Sequence, residues 1–207
     1  MSDLWATPQE VFDNLNTEFN FDFDICAQDE TAKCEKYNTI DDDSLSVDWS
    51  DLNATTIWCN PPYSNITPWI ERAIQAQMQG VTTVMLVMCD PSVKWFARAL
   101  EYASEIRFVT EGRLSFIKDK KAGGGNTKGS VIFVFRPSMV GTAYTSYVTR
   151  NELMTVPSYK VYKMKFRGLK FVEESVAEFD DPQTAIMHKI KLEEENTDPN
   201  YWYRMEG

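Results

Sequence analysis

Histidine is almost missing from this 207-residue chain, which has His188 alone. Its four cysteines, Cys26, Cys34, Cys59 and Cys89, do not fall at the short paired spacings of a zinc or iron site. No local metal motif exists, and no metal is assigned. The cysteines lie in or beside apolar segments, which in an intracellular chain reads as free thiols rather than a disulfide frame. No uncharged apolar run approaches the ~18 residues of a membrane helix. Met1-Ser2-Asp3-Leu4-Trp5 has neither a basic patch nor an apolar signal core. The expectation is a soluble protein of the cytoplasm. No glycine-rich phosphate turn follows an early strand, and the lysines around Gly123-Gly124-Gly125 do not stand where a Walker loop needs them. Basic residues are also short, 21 against 31 acidic, for a net charge of −10. That weighs against a uniformly phosphate-binding surface.

What is present is an ample core: 43% apolar residues and 13% aromatics. The length fits one domain, or one domain with an appendage. Charge is segregated. Acidic residues crowd the first fifty positions, including Asp41, Asp42 and Asp43. Basic residues gather at Arg113, Lys118, Lys120, Lys121 and Lys128, and again at Lys160, Lys163, Lys165, Arg167 and Lys170. Such a pattern permits one basic face on an acidic protein, although a solvated face would look the same.

Along the chain, Thr7-Pro8 reads as an N-cap and first helical position, with Val11, Phe12 and Leu15 at helical spacing over 8–16. Phe21, Phe23 and Ile25 alternate with polar residues over 19–26, a strand pattern that leaves Asp24 at its end. Residues 28–36 allow one or two helical turns. Thr55 to Cys59 is a strand, Ile66 onward a helix closed by Gly80, and Val81 to Met88 a strand apolar on both faces. Trp95, Phe96, Ala99 and Leu100 mark the next helix, and Glu105 to Val109 a further strand. This alternation predicts an α/β fold with a parallel sheet. Leu114–Ile117 and Ser130–Phe135 are read as an antiparallel pair at the sheet edge, joined by a mobile basic loop. Beyond Pro137 the pattern loosens into aromatic and basic stretches, then an acidic, partly helical segment carrying His188 on its surface.

The most informative stretch is Ile57-Trp58-Cys59-Asn60-Pro61-Pro62-Tyr63-Ser64. Neither proline has an N–H, and each pushes the residue before it toward extended geometry. Carbonyls around Asn60 are thereby kept out of helix and sheet ladders. Asn60 adds a side-chain acceptor, and Tyr63 a flat face for stacking. Two acceptors beside a ring suit a planar group bearing –NH2, such as adenine.

Asn60-Pro61-Pro62-Tyr63 resembles the catalytic motif of amino-group methyltransferases. With Trp5-Ala6-Thr7-Pro8, Asp24-Ile25-Cys26-Ala27, Asp48-Trp49, Trp69-Ile70 and Gly112-Arg113-Leu114-Ser115-Phe116, the chain over roughly residues 5–136 resembles the phage-type DNA N-6-adenine methyltransferase (Dam) family. The resemblance implies a Rossmann-like class I fold with a mostly parallel sheet and an antiparallel edge hairpin. It implies methyl transfer from S-adenosylmethionine to adenine N6 in double-stranded DNA, with the base flipped out. Asn60, Pro61, Pro62 and Tyr63 would be catalytic. Thr7, Pro8, Asp24, Cys26, Ala27, Asp48 and Asn60 would hold the donor, Asp48 by accepting from the donor's adenine. Ser64, Arg113, Lys118, Lys120, Lys121 and Lys128 would face DNA. One carboxylate of Asp41–Asp43 is a candidate for the donor's ribose. GATC is the recognition sequence the resemblance suggests, and protection of phage DNA from restriction the purpose. Glutamine methylation in a protein, cytosine N4 methylation and an inactive DNA-binding scaffold are the competing readings. A catalytic domain over 1–137 and an extension over 138–207, a candidate contact surface for DNA, complete the expectations.

Overall fold

The computed structural model describes residues 5–118, 121–122, 128–139, 141, 144–155, 158–167, 170–180, 182–197 and 201–206. The chain divides into two compact units, Met1–Met154 and Thr155–Gly207.

The first unit is built on a six-stranded sheet. Its strands are β1 (Phe23–Asp24), β2 (Thr56–Cys59), β3 (Thr82–Met88), β4 (Glu105–Thr110), β7 (Ser130–Phe135) and β8 (Tyr144–Thr149), in the order β1-β2-β3-β7-β4-β8. The pairs β1·β2, β2·β3 and β4·β8 are parallel. Only β7 runs the other way, against both β3 and β4. A separate two-stranded hairpin joins β5 (Ile117–Lys118) to β6 (Lys121–Ala122).

The mostly parallel α/β sheet and an antiparallel hairpin are therefore both present, with different partners from those read in the sequence. Leu114–Ile117 does not pair with Ser130–Phe135. All six residues of β7 are buried, and a strand apolar on both faces needs neighbours on both sides. It takes an interior place, and β5 pairs locally instead.

Alternation along β3 divides the core. Met85 and Val87 join the cluster with Ile70, Ala73 and Phe96, from α2 (Thr67–Met78) and α3 (Lys94–Tyr102). Val84 and Leu86 join Val11, Phe12 and Leu15 of α1 (Gln9–Phe19) and Leu153 of α4 (Arg150–Met154). Period two in the strands and the helical stripe of α1 thus meet on one face. The one buried carboxylate of β4, Glu105, is satisfied by Arg107 at 2.8 Å, Arg136 at 3.1 Å and the Ser146 hydroxyl at 2.9 Å.

Three local expectations are corrected. α1 begins at Gln9 after Pro8, without a side-chain cap, and runs on to Phe19. Asn20, left-handed at φ 52°, stops it. The first strand consequently shrinks to two ladder residues. Asp22 compensates by accepting from the Thr55 N–H at 2.9 Å and hydroxyl at 2.8 Å, which fastens that segment to β2. Residues 28–36 form turns rather than a helix.

The second unit is an antiparallel sheet in the order β10-β9-β11, with β9 at Tyr159–Arg167, β10 at Lys170–Phe179 and β11 at Tyr201–Glu206, together with α5 (Pro182–Glu195). Lys160 pairs with Glu178 across the strands at 3.7 Å. The basic run is in part answered by its acidic neighbour strand. His188 on α5 packs against Phe179, ring centroids 5.0 Å apart. No helix among the described residues is long and apolar enough to cross a membrane.

Candidate active site

Open α/β sheets bind ligands outside the carboxyl ends of their parallel strands. Here the ends of β1 and β2 adjoin, in register Asp24 with Trp58. A solvent-open cleft lies there, lined by Trp5, Ala6, Thr7, Asp24, Cys26, Ala27, Gln28, Thr31, Lys33, Trp58 and Asn60. Five of the anticipated donor residues, Thr7, Asp24, Cys26, Ala27 and Asn60, therefore line one cavity.

Asp24 is buried. Its carboxylate accepts the backbone N–H of Cys26 at 3.2 Å and of Lys33 at 3.1 Å. Desolvation outweighs those bonds and pushes its pKa up to about 6. Thr7 was a candidate N-cap as well as a candidate donor contact. The helix does not use it, and its Oγ1 is buried without a hydrogen-bond partner among the described residues. Unpaired buried hydroxyls are uncommon in folded proteins, and a bound polar ligand is one explanation. Pro8 is buried beside it and opens α1.

Cys26 Sγ lies 3.7 Å from Cys59 Sγ, which joins the loop after β1 to the end of β2. Burial, first of all, raises the Cys26 thiol well above its ordinary pKa. Asn60 follows at the carboxyl end of β2, and its Nδ2 donates to the Trp5 carbonyl at 3.3 Å. Among the described residues, nothing is bonded to Asn60 Oδ1 or to the Pro61 carbonyl. Pro61 is buried and Pro62 half-buried. Tyr63 packs edge-on against Phe116 with centroids 6.0 Å apart. Its hydroxyl is buried with no partner among the described residues, and burial raises its pKa.

Asp48 is not among the residues lining this cleft. It caps the short 3-10 helix Trp49–Leu52, with Oδ1 taking the Ser50 N–H and hydroxyl. Its Oδ2 takes Gln75 Nε2 at 3.2 Å and Gln79 Nε2 at 2.7 Å. Trp49 is a core residue, its Nε1 donating to the Ser44 carbonyl. Asp42 closes a capping box with Thr39, and Asp41 and Asp43 are exposed.

Of the residues expected to face DNA, Ser64 is exposed just ahead of α2. Arg113 is exposed in the turn after β4, where Arg150 Nε bonds its carbonyl at 3.0 Å. Gly112 in that turn has φ +139°, and a Cβ there would stand 2.8 Å from Arg150 Cδ, so glycine is required. Lys118 and Lys121 are placed by their backbones in β5 and β6. Lys120 and most of the glycine-rich loop, 123–127, lie outside the described residues. Lys128 is exposed and ion-paired with Asp90, which also accepts from Ser92. That pairing holds Asp90 down to about 2.

Lys33 was missed. It lines the cleft with its Nζ held by Gln9 Oε1 at 2.7 Å, and burial lowers its pKa. Nothing local marks it, since an isolated lysine in a turn has no pattern. Among the described residues no cluster of side chains could hold a metal ion.

The model of the family described as DNA N-6-adenine-methyltransferase (Dam) matches residues 1–158. The DNA N-6-adenine-methyltransferase of Haemophilus phage HP1 is 36% identical over 157 residues, covering 73% of this chain and 89% of that protein. The protein of the same name from Escherichia phage T1 is 32% identical over 183 residues, covering 80% of this chain and 75% of its own. A putative methyltransferase of Escherichia coli K12, YfdM, is 37% identical over 73 residues, 33% of this chain and 76% of its own length. With the family model matched across the whole first unit and phage relatives similar over most of the chain, the protein belongs to the DNA N-6-adenine-methyltransferase (Dam) family.

Proposed function

We propose that the protein transfers the methyl group of S-adenosylmethionine to the N6 amino group of adenine in double-stranded DNA. The observation that carries this reading is that Asn60, Asp24 and Thr7, whose buried hydroxyl has no partner among the described residues, line a single cleft at the ends of β1 and β2. A donor bound there supplies a methyl already activated on a sulfonium. The residues fit it: a desolvated carboxylate at Asp24 suits an ammonium group, and Thr7 offers a hydroxyl with no other use. The small side chain of Ala27 leaves room for backbone approach.

The adenine amino group is buried in the base stack, so the target nucleotide turns out of the duplex to reach Asn60. Asn60 Oδ1 and the Pro61 carbonyl accept the two N6 hydrogens. Among the described residues, neither acceptor has a competing donor. Their bonds hold the nitrogen lone pair toward the methyl and favour the positive charge that develops on nitrogen. Tyr63 offers a ring for stacking on the base, worth ~1–3 kcal/mol in comparable contacts. The surplus proton leaves from the product ammonium to solvent.

The test uses labelled S-adenosylmethionine, duplex DNA, the wild type and Asn60→Ala, with digestion to nucleosides. Label in N6-methyladenine that disappears in the variant supports the proposal. Label in cytosine, in protein glutamine, or nowhere overturns it. Duplexes differing at GATC show whether that sequence is the target.

A further inference from the structure

Resting on the reading of Asn60 as acceptor for the target amino group, we propose that the main-chain carbonyl of Trp5 is a positioning group that fixes which end of the Asn60 amide meets the base. A primary amide has a donor end and an acceptor end of nearly the same shape. Turned over, Asn60 would set its own N–H against the N–H of the substrate. Nothing within Asn60 prevents this. The Trp5 carbonyl does, because a carbonyl only accepts. It takes Nδ2 at 3.3 Å, and Oδ1 is left as the outward atom.

The carbonyl is itself held. Ala6, next in the chain, exchanges two backbone bonds with Ile117, each 2.8 Å. Thr7 and Pro8 are buried, and the Pro8 carbonyl accepts the Phe12 N–H at the start of α1. The segment just after Trp5, residues 6–8, is thus held by β5 and α1, and the Trp5 carbonyl beside it meets Asn60 across 55 residues of chain. An acceptor adjoining that held segment removes one of two amide states before substrate arrives, which is preorganisation of the site.

Asn60→Asp tests this through its pH profile. The single-turnover rate of methyl transfer is measured at saturating donor and DNA, relative to wild type, from pH 5.5 to 8.5. At high pH the substituted carboxylate faces the Trp5 carbonyl, is repelled, and leaves its place. The rate falls on the order of 100-fold, as for other small misplacements of reacting groups. Once protonated, the carboxyl donates its O–H to Trp5 and turns its carbonyl oxygen outward. The relative rate therefore climbs as pH falls toward the carboxyl's pKa, by up to about 100-fold in all. If acceptor strength alone mattered, the carboxylate would be the better form and the ratio would rise with pH. A rising or a flat ratio overturns the proposal. Ile117→Pro gives a second test, because it deletes the N–H that holds Ala6 and leaves Asn60 intact. Its single-turnover rate falls roughly tenfold at saturating donor if the arm positions Asn60. An unchanged rate overturns the proposal. Full activity in Asn60→Ala would instead remove the functional reading on which the inference rests.

Discussion

The Lys33 backbone N–H donates to Asp24 Oδ2 at 3.1 Å, so residues 24–33 curl back on a carboxylate that the fold has taken out of water. Burial raises its pKa from 3.8 to about 6, and the Cys26 and Lys33 bonds offset only part of that. The folded state thus favours the protonated form. The stabilisation this gives is complete below about pH 3.8 and is lost as pH rises through about 6. At neutral pH the ionised carboxylate costs about 3 kcal/mol relative to a solvated one. Asp24→Asn removes the titration. Its stability relative to wild type improves by about 2 kcal/mol from pH 4 to pH 8, as read by denaturant unfolding at each pH. A cationic donor has the opposite need. Its affinity for wild type falls about tenfold per unit below about pH 6, while its affinity for the Asp24→Asn variant does not change with pH. Calorimetric titration across pH 5 to 8 checks both.

Thr7 Oγ1 is buried and has no hydrogen-bond partner among the described residues. Thr7→Val keeps the shape and deletes the unpaired hydroxyl. Thermal stability stays equal or rises by up to about 1 kcal/mol, since an unsatisfied buried hydroxyl is a cost. Donor affinity drops roughly 3- to 10-fold, the worth of one hydrogen bond. Unchanged affinity would remove Thr7 from the binding site.

Tyr63 carries its ring and its hydroxyl for different reasons. The hydroxyl is buried and unpaired, whereas the half-buried ring rests edge-on against Phe116. Tyr63→Phe keeps methyl transfer within about threefold of wild type and does not lower stability. Tyr63→Ala loses the stacking surface, and DNA binding weakens by ~1–3 kcal/mol. Comparing the two variants in a fluorescence-based DNA titration separates ring from hydroxyl.

Lys128 is neutralised by Asp90. Asp90→Asn releases the ammonium at the foot of the basic loop. Affinity for duplex DNA rises at low salt, and the slope of log K against log salt steepens by about one. Lys128→Ala in the same background returns the slope to that of wild type.

Much of this protein was determined by local pattern. The alternation of strands and helices, the placement of Asn60 just past β2, the cap at Gly80 and the two-faced burial of β3 all follow from periodicity and from the geometry of proline and glycine. These effects act within a few residues, and a sequence displays them directly. The order of motifs was enough to point to the family. Tertiary structure decided the rest. It placed β7 between β3 and β4, because a strand buried on both faces seeks two neighbours and nothing local names them. It withdrew Asp24 from solvent, and it engaged Asp48 with Gln75 of α2 and with Gln79 just past that helix, away from the cleft lining. It brought Lys33 to the cleft and the Trp5 carbonyl to Asn60. Each of these is a contact between a single atom and a distant segment, often a backbone group that every residue possesses. Such contacts leave no signature in residue type or spacing, so only the folded chain reveals them.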